Sequence, residues 1–423
     1  MVKNKINLTT AILININIMI GAGVFINPAP LTKFAGAFGF TGYLFSAILL
    51  LPIVLTIAQL TQRNPIAGGL YVYAKNNLGS FIGFWGGWSY FLGKATSAAL
   101  LCNTFVVFFQ NRIAFLQEIP IIVLDLLLIL FLISINIFGV KIGGKIQYIF
   151  AGAKFIPIIF VIFASLSIIN PNFFIFTPQD FKHLFSAIPI AIYALLSFEI
   201  ITSIGHLIEN PEINIKKAIL YSFLIVVTVA TLFQFSIFGA LGKELETAGI
   251  PILLLGSKFF SNGSFLPGIL NSMIFASILG GAFGSLTSNC WNFYALSKDK
   301  QIPLSKFFTK INKNNVPYFS LLIEGFISFL LLAVSQNQIA LQNMTVLGMV
   351  TAYFLSSISL LKILKNEFYT KKAIPILAIL SSAYIMSICI KNIIKFGISI
   401  SFIMIFLVGI FFALNRKIFH SSI

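Results

Sequence analysis

The sequence predicts an all-α protein that crosses a membrane many times, and three observations support this fold class. Hydrophobic residues make up 58% of the 423-residue chain, charged residues only 9%, and the mean hydropathy is +0.98. Apolar segments of the roughly 20 residues that a spanning helix needs recur along the whole chain. Two of these segments are interrupted by small or polar residues, one at Gly21–Gly23 and the other near Ser197. The remaining segments are too short for a soluble domain.

Twelve of the apolar segments are predicted to be transmembrane helices. The first and the sixth contain the interruptions. In chain order the twelve segments cover residues 8–35, 39–61, 80–109, 119–138, 143–169, 183–208, 217–241, 266–297, 317–335, 340–363, 373–391 and 394–414.

The net charge of +17 could indicate a nucleic-acid partner, but its distribution favours a membrane topology. With the N-terminus placed in the cytoplasm, the inside loops and tails hold 19 Lys and Arg residues and the outside loops seven. The other two, Lys94 and Lys154, lie within predicted spans. This asymmetry follows the positive-inside rule. We therefore expect both termini in the cytoplasm, contact with membrane lipid and no nucleic-acid partner.

The chain shows no motif for a metal, a cofactor or an enzyme. Its three cysteines, Cys102, Cys290 and Cys389, lie in apolar segments without CxxC or Cys/His spacing. The three histidines are far apart in the sequence. HExxH and GxSxG motifs are absent. We expect no cofactor, no metal and no catalytic residues.

The two interruptions predict where a ligand binds. A helix that unwinds in a bilayer frees backbone N–H and C=O groups, which must then be buried in protein or face a ligand. The first break lies within Ile18–Phe25 and the second within Tyr193–Glu199. A pair of breaks in corresponding positions of two halves indicates the binding site of a transporter.

Four stretches of sequence carry a family resemblance. They are Gly21 to Pro28, Pro65 to Ala74 with Gly83-Phe84 and Gly87-Trp88, Tyr193 to Pro211, and Tyr294 to Pro317. Taken together and in this order, they resemble the amino acid–polyamine–organocation (APC) superfamily of amino acid permeases, from helix 1 to helix 9. The third stretch keeps the family's spacing on helix 6 from an aromatic residue to a glutamate and then to Asn-Pro.

The sequence also departs from the family pattern. Ser197 stands where many members have glycine, and Trp291-Asn292 replaces a usual arginine. His206 lies near a position where acidic residues are common. These departures bear on the identity of the substrate more than on the fold.

The resemblance implies a 5+5 inverted-repeat (LeuT-like) core with discontinuous helices 1 and 6. Helices 1–5 would form the first repeat in residues 1–182 and helices 6–10 the second in residues 183–364. Helices 11 and 12, in residues 365–423, would lie outside the core, where the resemblance places a dimer contact. Monomer and homodimer both remain open.

The two breaks are expected to bind the charged groups of an amino acid. The helix beginning near Val24 presents N–H groups to a carboxylate, and small residues allow its close approach. Carbonyls at the end of the preceding half-helix and in the second break would accept hydrogen bonds from the ammonium of the substrate. The alternative is that Gly21 and Gly23 only permit close helix packing. The predicted substrate-binding residues are Met19, Ile20, Gly21, Ala22, Gly23, Val24, Gly93, Lys94, Tyr193, Leu196, Ser197 and Phe198.

Three residues are predicted to gate or couple transport. Lys154 resembles the lysine that occupies the sodium position in sodium-independent members, and its alternative is a side chain that extends to the membrane interface. By the same resemblance Tyr193 is an aromatic gate, or else a packing residue. Glu199 is a gate or coupling residue on helix 6, or else a structural carboxyl.

The sequence assigns no single role to three other charged residues. Lys94 on helix 3 would either favour an acidic side chain or pair with Glu199. Asp125 is expected to reach water near a helix end, and Glu324 to be peripheral, without an assigned role.

The sequence thus predicts a sodium-independent secondary active transporter of amino acids or related amines, working by alternating access in the bacterial cytoplasmic (inner) membrane. Proton symport and amino acid exchange both fit. The alternative is a non-transporting amino acid sensor of the same fold, although sensors of this kind usually carry longer cytoplasmic extensions. An enzyme is not expected.

Overall fold

The computed structural model describes residues 6–63, 69–138, 140–248, 251–259 and 266–395, together with Leu407, Gly409 and Phe411. Apart from an isolated bridge between Ile6 and Ile208, the regular structure of these residues is helical. The α-helices are α1 (Leu8–Met19), α2 (Gly23–Ile26), α3 (Pro28–Ala35), α4 (Thr41–Arg63), α5 (Gly69–Leu78), α6 (Ser80–Gln110), α7 (Ile121–Ile137), α8 (Val140–Ser167), α9 (Pro178–Leu195), α10 (Pro211–Leu241), α11 (Pro251–Phe259), α12 (Leu266–Lys298), α13 (Ser305–Phe308), α14 (Tyr318–Val334), α15 (Gln338–Ile363) and α16 (Tyr369–Lys395).

Among the described residues, seven helical segments are long and apolar enough to cross a membrane. Four shorter apolar helical segments lie at Leu8–Met19, Ile121–Ile137, Lys154–Ser167 and Tyr318–Val334. Eleven of the twelve predicted spans each overlap one of these apolar helical segments. The twelfth, 394–414, lies largely outside the described residues. The seven long segments are Thr41–Arg63, Ser80–Gln110, Pro178–Thr202, Pro211–Thr247, Gly268–Lys298, Gln338–Ile363 and Tyr369–Lys395.

Helix α6 lies at the centre of the fold, against α12, α14 and α15. It meets α15 at a pair of glycines. A methyl group added to Gly93 would lie 2.9 Å from the backbone nitrogen of Met349, and one added to Gly348 would lie 2.7 Å from the Cα of Gly93. Small residues allow two helix backbones to approach this closely. The contact holds the middle of α6 in place beside the two breaks.

The first predicted break is present. Helix α1 ends at Met19, Ile20 leaves the helical region with φ −72° and ψ 84°, and α2 begins at Gly23. The N–H groups of Phe25 and Ile26 both donate to the carbonyl of Ala22, which starts the second half of the helix. The chain then continues through Asn27 into α3.

The second predicted break is also present. Helix α9 ends at Leu195, Leu196 is extended, and Ser197 adopts a φ of +75°. From Phe198 to Leu207 the chain continues as a 3₁₀ helix. A positive φ favours glycine, and a residue with a Cβ in a sparsely populated conformation costs about 1–3 kcal/mol. The position at which the sequence departs from the family's glycine is therefore the strained point of the break.

Candidate functional site

A cavity of about 570 Å³ lies between the two breaks and helices α6, α8, α12 and α15. Eight of the residues predicted to bind substrate or to gate transport line it. They come from both breaks and from α6, α8 and α9: Gly21, Ala22, Gly23, Lys94, Lys154, Tyr193, Leu196 and Ser197.

The other predicted residues lie behind this lining. Met19, Ile20 and Val24 are buried beside the first break, and Gly93 lies in the contact between α6 and α15. The ring of Phe198 packs against Tyr353, with ring centroids 5.2 Å apart. Their predicted binding roles would therefore depend on backbone groups.

One wall of the cavity was not predicted from the sequence. It is the stretch of α12 that contains Gly280, Gly281, Gly284 and Ser285. Asn17 of α1 and Ser97 of α6 also line the cavity. A run of small residues on a long apolar helix was the available signal, but it fits a helix contact equally well.

The two breaks touch each other. A methyl group added to Gly23 would lie 2.8 Å from the Cα of Ala194, so only glycine fits between the two segments. Gly21 differs, because a methyl group there would meet only the carbonyl oxygen of Met19, at 4.0 Å. The packing interpretation thus accounts for Gly23, whereas Gly21 faces open space at the cavity.

The first break presents both kinds of backbone group near the cavity. The N–H groups of Ala22, Gly23 and Val24 precede the first bonds of α2 and lack an intrahelical acceptor. At the end of α1 the carbonyls of Ile16 and Met19 accept from the N–H groups of Ile20 and Gly21, whereas the carbonyls of Asn17 and Ile20 have no backbone donor among the described residues.

Lys154 of α8 donates to two of these carbonyls. Its Nζ lies 2.6 Å from the oxygen of Asn17 and 2.9 Å from that of Ile20. The side chain is buried, and its ammonium ends on these two backbone carbonyls. A cation at the C-terminal end of a helix also complements the negative end of the helix dipole. Lys154 thereby supplies the charge and the donors that the broken end of α1 requires.

Glu199 is held by two tyrosines behind the cavity. Its Oε1 accepts from the hydroxyl of Tyr90 at 2.6 Å and its Oε2 from that of Tyr353 at 2.7 Å. The residue is only 2% exposed and is not part of the cavity lining. The two hydroxyls join the second break to α6 and α15.

Lys94 reaches the second break from α6. Its Nζ donates to Ser197 Oγ at 2.9 Å and lies 5.8 Å from the ring centroid of Tyr90. Among the described residues Lys94 forms no ion pair, so a direct pair with Glu199 is not observed. One turn further along α6, Ser97 Oγ lies 3.3 Å from the hydroxyl of Tyr193.

Two expectations about acidic residues are wrong. Asp125 does not reach water, because it is fully buried and accepts from Asn103 at 2.9 Å and Gln336 at 3.3 Å. Glu324 is not peripheral, because α14 packs against α6 and α12 and buries it completely. The side chain of His206 lies outside the described residues.

A further polar cluster joins two of the stretches that carry the family resemblance. Asp299, after α12, accepts from the hydroxyl of Tyr71 and from Lys75 Nζ, each at 2.6 Å. Partial burial raises the pKa of Asp299, but the hydrogen bonds from Lys75 and Tyr71 lower it by more, so its pKa lies below the usual value. The sequence alone did not indicate this contact.

These features define a helical membrane protein with a cavity between two broken helices. The sequence model of the amino acid permease family matches residues 10–417. The chain therefore belongs to the amino acid permease family, within the APC superfamily. Members of this family are integral membrane transporters and not enzymes.

Characterised relatives agree with this assignment. The chain is 25% identical to the serine/threonine exchanger SteT of Bacillus subtilis (strain 168), over 94% of each chain. It is 23% identical to the lysine-specific permease LysP of Lactococcus lactis subsp. cremoris (strain MG1363), over 72% of this chain and 64% of the relative. It is 24% identical to the gamma-aminobutyric acid permease of Escherichia coli (strain K12), over 75% of this chain and 70% of the relative.

Proposed function

We propose that this protein is a sodium-independent secondary active transporter of amino acids in the bacterial cytoplasmic membrane. The observation that carries the proposal is the position of Lys154, whose ammonium bonds two carbonyls at the broken end of α1. A sodium ion in that position would need the same carbonyl oxygens. Because the ammonium already uses them, transport does not require sodium.

The substrate is bound through its backbone charges between the two breaks. Its carboxylate approaches the N–H groups of Ala22, Gly23 and Val24, next to the open space at Gly21. Its ammonium is accepted by carbonyls at the end of α1 and in the second break around Leu196 and Ser197. Tyr193 closes over the bound molecule as an aromatic gate.

Transport follows alternating access between two inverted repeats, residues 1–182 and 183–364, with 365–423 outside them. Both termini lie in the cytoplasm in this proposal, and the distribution of Lys and Arg supports that orientation. In that orientation the cavity extends toward the cytoplasm, past Ile14 of α1 and Trp291 of α12.

On the opposite side the breaks are joined to their neighbours by Asn27. This residue donates to the carbonyl of Ile190 at 2.7 Å and accepts from Gln342 at 2.8 Å. These contacts support an inward-facing state whose outer side is closed.

Two modes of energy coupling are compatible with these residues. The relative SteT is an exchanger, which supports exchange of one amino acid for another. A buried lysine can also lose its proton during a transport cycle, which would support proton symport through Lys154 and Glu199.

The deciding experiment is uptake of labelled amino acids by proteoliposomes that contain the purified protein. We expect uptake to be unchanged when sodium is replaced by choline, and sodium-stimulated uptake would contradict the proposal. Uptake into empty vesicles driven by a proton gradient would identify a symporter, and uptake only into preloaded vesicles an exchanger. Binding without uptake under any condition would identify a sensor.

A further inference from the structure

The described residues that line the cavity carry only positive formal charges. Lys94 and Lys154 are the two cations among the described residues that line it, and none of those lining residues is an aspartate or a glutamate. Lys94 is 7% exposed and lies in the middle of α6. A charge near the centre of a bilayer costs about 2.5–3.5 kcal/mol on insertion scales and usually marks a functional site.

The two lysines differ in the number of hydrogen-bond acceptors that their ammonium groups contact among the described residues. Lys154 donates to two backbone carbonyls, whereas Lys94 donates to one acceptor among the described residues, Ser197 Oγ. An ammonium has three donors. Among the described residues, two N–H groups of Lys94 therefore have no protein acceptor, and they lie at the wall of the cavity.

The two acidic residues whose charge acts on Lys94 do not accept its remaining N–H groups among the described residues. Glu199 and Glu324 interact with Lys94 electrostatically, but neither forms an ion pair with it among the described residues. The carboxylate of Glu199 is already bound by Tyr90 and Tyr353. Neither Glu199 nor Glu324 lines the cavity.

Lys94 also lies next to the region proposed to bind the substrate backbone. Its partner Ser197 is the strained residue of the second break and itself lines the cavity. Ser97, on the same face of α6, contacts Tyr193. A short side chain extending from an amino acid bound at the breaks would therefore meet Lys94.

We propose that Lys94 binds the side-chain carboxylate of the substrate, so that the transporter prefers acidic amino acids. This inference rests on the proposed function and names the substrate class of the same site. An acidic amino acid carries one net negative charge, and a hydrogen bond between charged groups is roughly twice as strong as a neutral one. A lysine or arginine substrate would instead bring a third cation to the cavity and be repelled.

The test measures the half-saturation concentrations for labelled aspartate, glutamate, serine and lysine in proteoliposomes. The proteins compared are the wild type, Lys94→Gln, Lys94→Arg and the control Lys33→Gln, which removes an exposed charge on α3 away from the cavity. We expect the wild type to take up the acidic substrates at the lowest concentrations. Lys94→Gln should raise their half-saturation concentrations about tenfold or more and leave that of serine within about threefold.

Lys94→Arg should retain the acidic preference, and Lys33→Gln should behave as the wild type. Wild-type uptake of serine or lysine that aspartate and glutamate do not inhibit would overturn the inference and leave the proposed function intact. An equal loss for every substrate in Lys94→Gln would also overturn it. No amino acid transport by the wild type would contradict the proposed function itself. If Lys94→Gln fails to fold, the wild-type half-saturation concentrations test the inference. The lowest values for aspartate and glutamate would support it, and lower values for serine or lysine would overturn it.

Discussion

The ammonium of Lys154 lies 2.9 Å from the carbonyl oxygen of Ile20, the residue at which the first helix unwinds. This hydrogen bond and its companion to Asn17 connect α8 directly to the break. The carbonyls at the end of an interrupted helix must be satisfied within a bilayer, where no water replaces a missing donor. The lysine that satisfies them also lines the cavity.

Replacing Lys154 with methionine should abolish most transport. Hydrogen bonds to charged groups contribute about 1.5–3 kcal/mol each, so loss of the two bonds should lower uptake about tenfold or more. Proteoliposome uptake measures the effect, and Lys258→Met on α11 provides a control lysine that does not line the cavity. Wild-type uptake by Lys154→Met would show that the break is held by other contacts.

Alanine at Gly23 and alanine at Gly21 should have different effects. The added methyl group at Gly23 would lie 2.8 Å from the Cα of Ala194, and overpacking of this kind costs about 1–3 kcal/mol of stability. At Gly21 the methyl group would meet no atom closer than 4.0 Å. We expect Gly23→Ala to lower the unfolding temperature in detergent, and Gly21→Ala to retain it while weakening substrate binding. Equal unfolding temperatures would contradict the close contact between the breaks.

The tyrosines that hold Glu199 should act together. Tyr90→Phe and Tyr353→Phe each remove one hydroxyl donor from a buried carboxylate, which should cost about 1–3 kcal/mol. A double-mutant cycle on the free energy of unfolding, with transport measured in parallel, tests this coupling. Additive effects would indicate that the two hydroxyls hold Glu199 independently. Tyr384→Phe on α16 is a control, because this side chain is exposed.

The cluster around Asp299 should make stability depend on pH at the acidic end. Because the folded-state pKa of Asp299 lies below its unfolded value of about 3.9, its contribution is present above that value and is lost as pH falls through the folded pKa. Asp299→Asn should lower stability by about 1 kcal/mol or less near neutral pH, since the cluster is partly exposed. The difference between variant and wild type in unfolding temperature should shrink below about pH 4. A difference that stays constant down to pH 3 would contradict this account.

Much of the fold was predictable because a bilayer limits the possible structures. Only helices of about 20 apolar residues satisfy their own backbone in lipid, so the predicted span 80–109 and the observed α6, Ser80–Gln110, nearly coincide. The same rule made Gly21–Gly23 and Ser197 visible as interruptions. The family assignment from four short stretches was likewise confirmed.

The predictions that were wrong depended on how helices rotate and pack. Asp125 was expected to reach water and Glu324 to be peripheral, yet both are buried. Position along an apolar helix indicates depth in the membrane but not which face meets a neighbour. The lining from α12 was missed because small residues serve helix contacts and cavities alike.

The sequence by itself determined that this chain is a helical membrane protein of the amino acid permease family with two broken helices. These properties follow from the composition and from short stretches of sequence, so they can be predicted without knowing which distant residues come into contact. Only the tertiary structure decided that Lys154 bonds the carbonyls of the first break, that Tyr90 and Tyr353 hold Glu199, and that Lys94 at the cavity donates, among the described residues, to Ser197 alone. These contacts join residues more than a hundred positions apart, and their geometry depends on the packing of several helices at once.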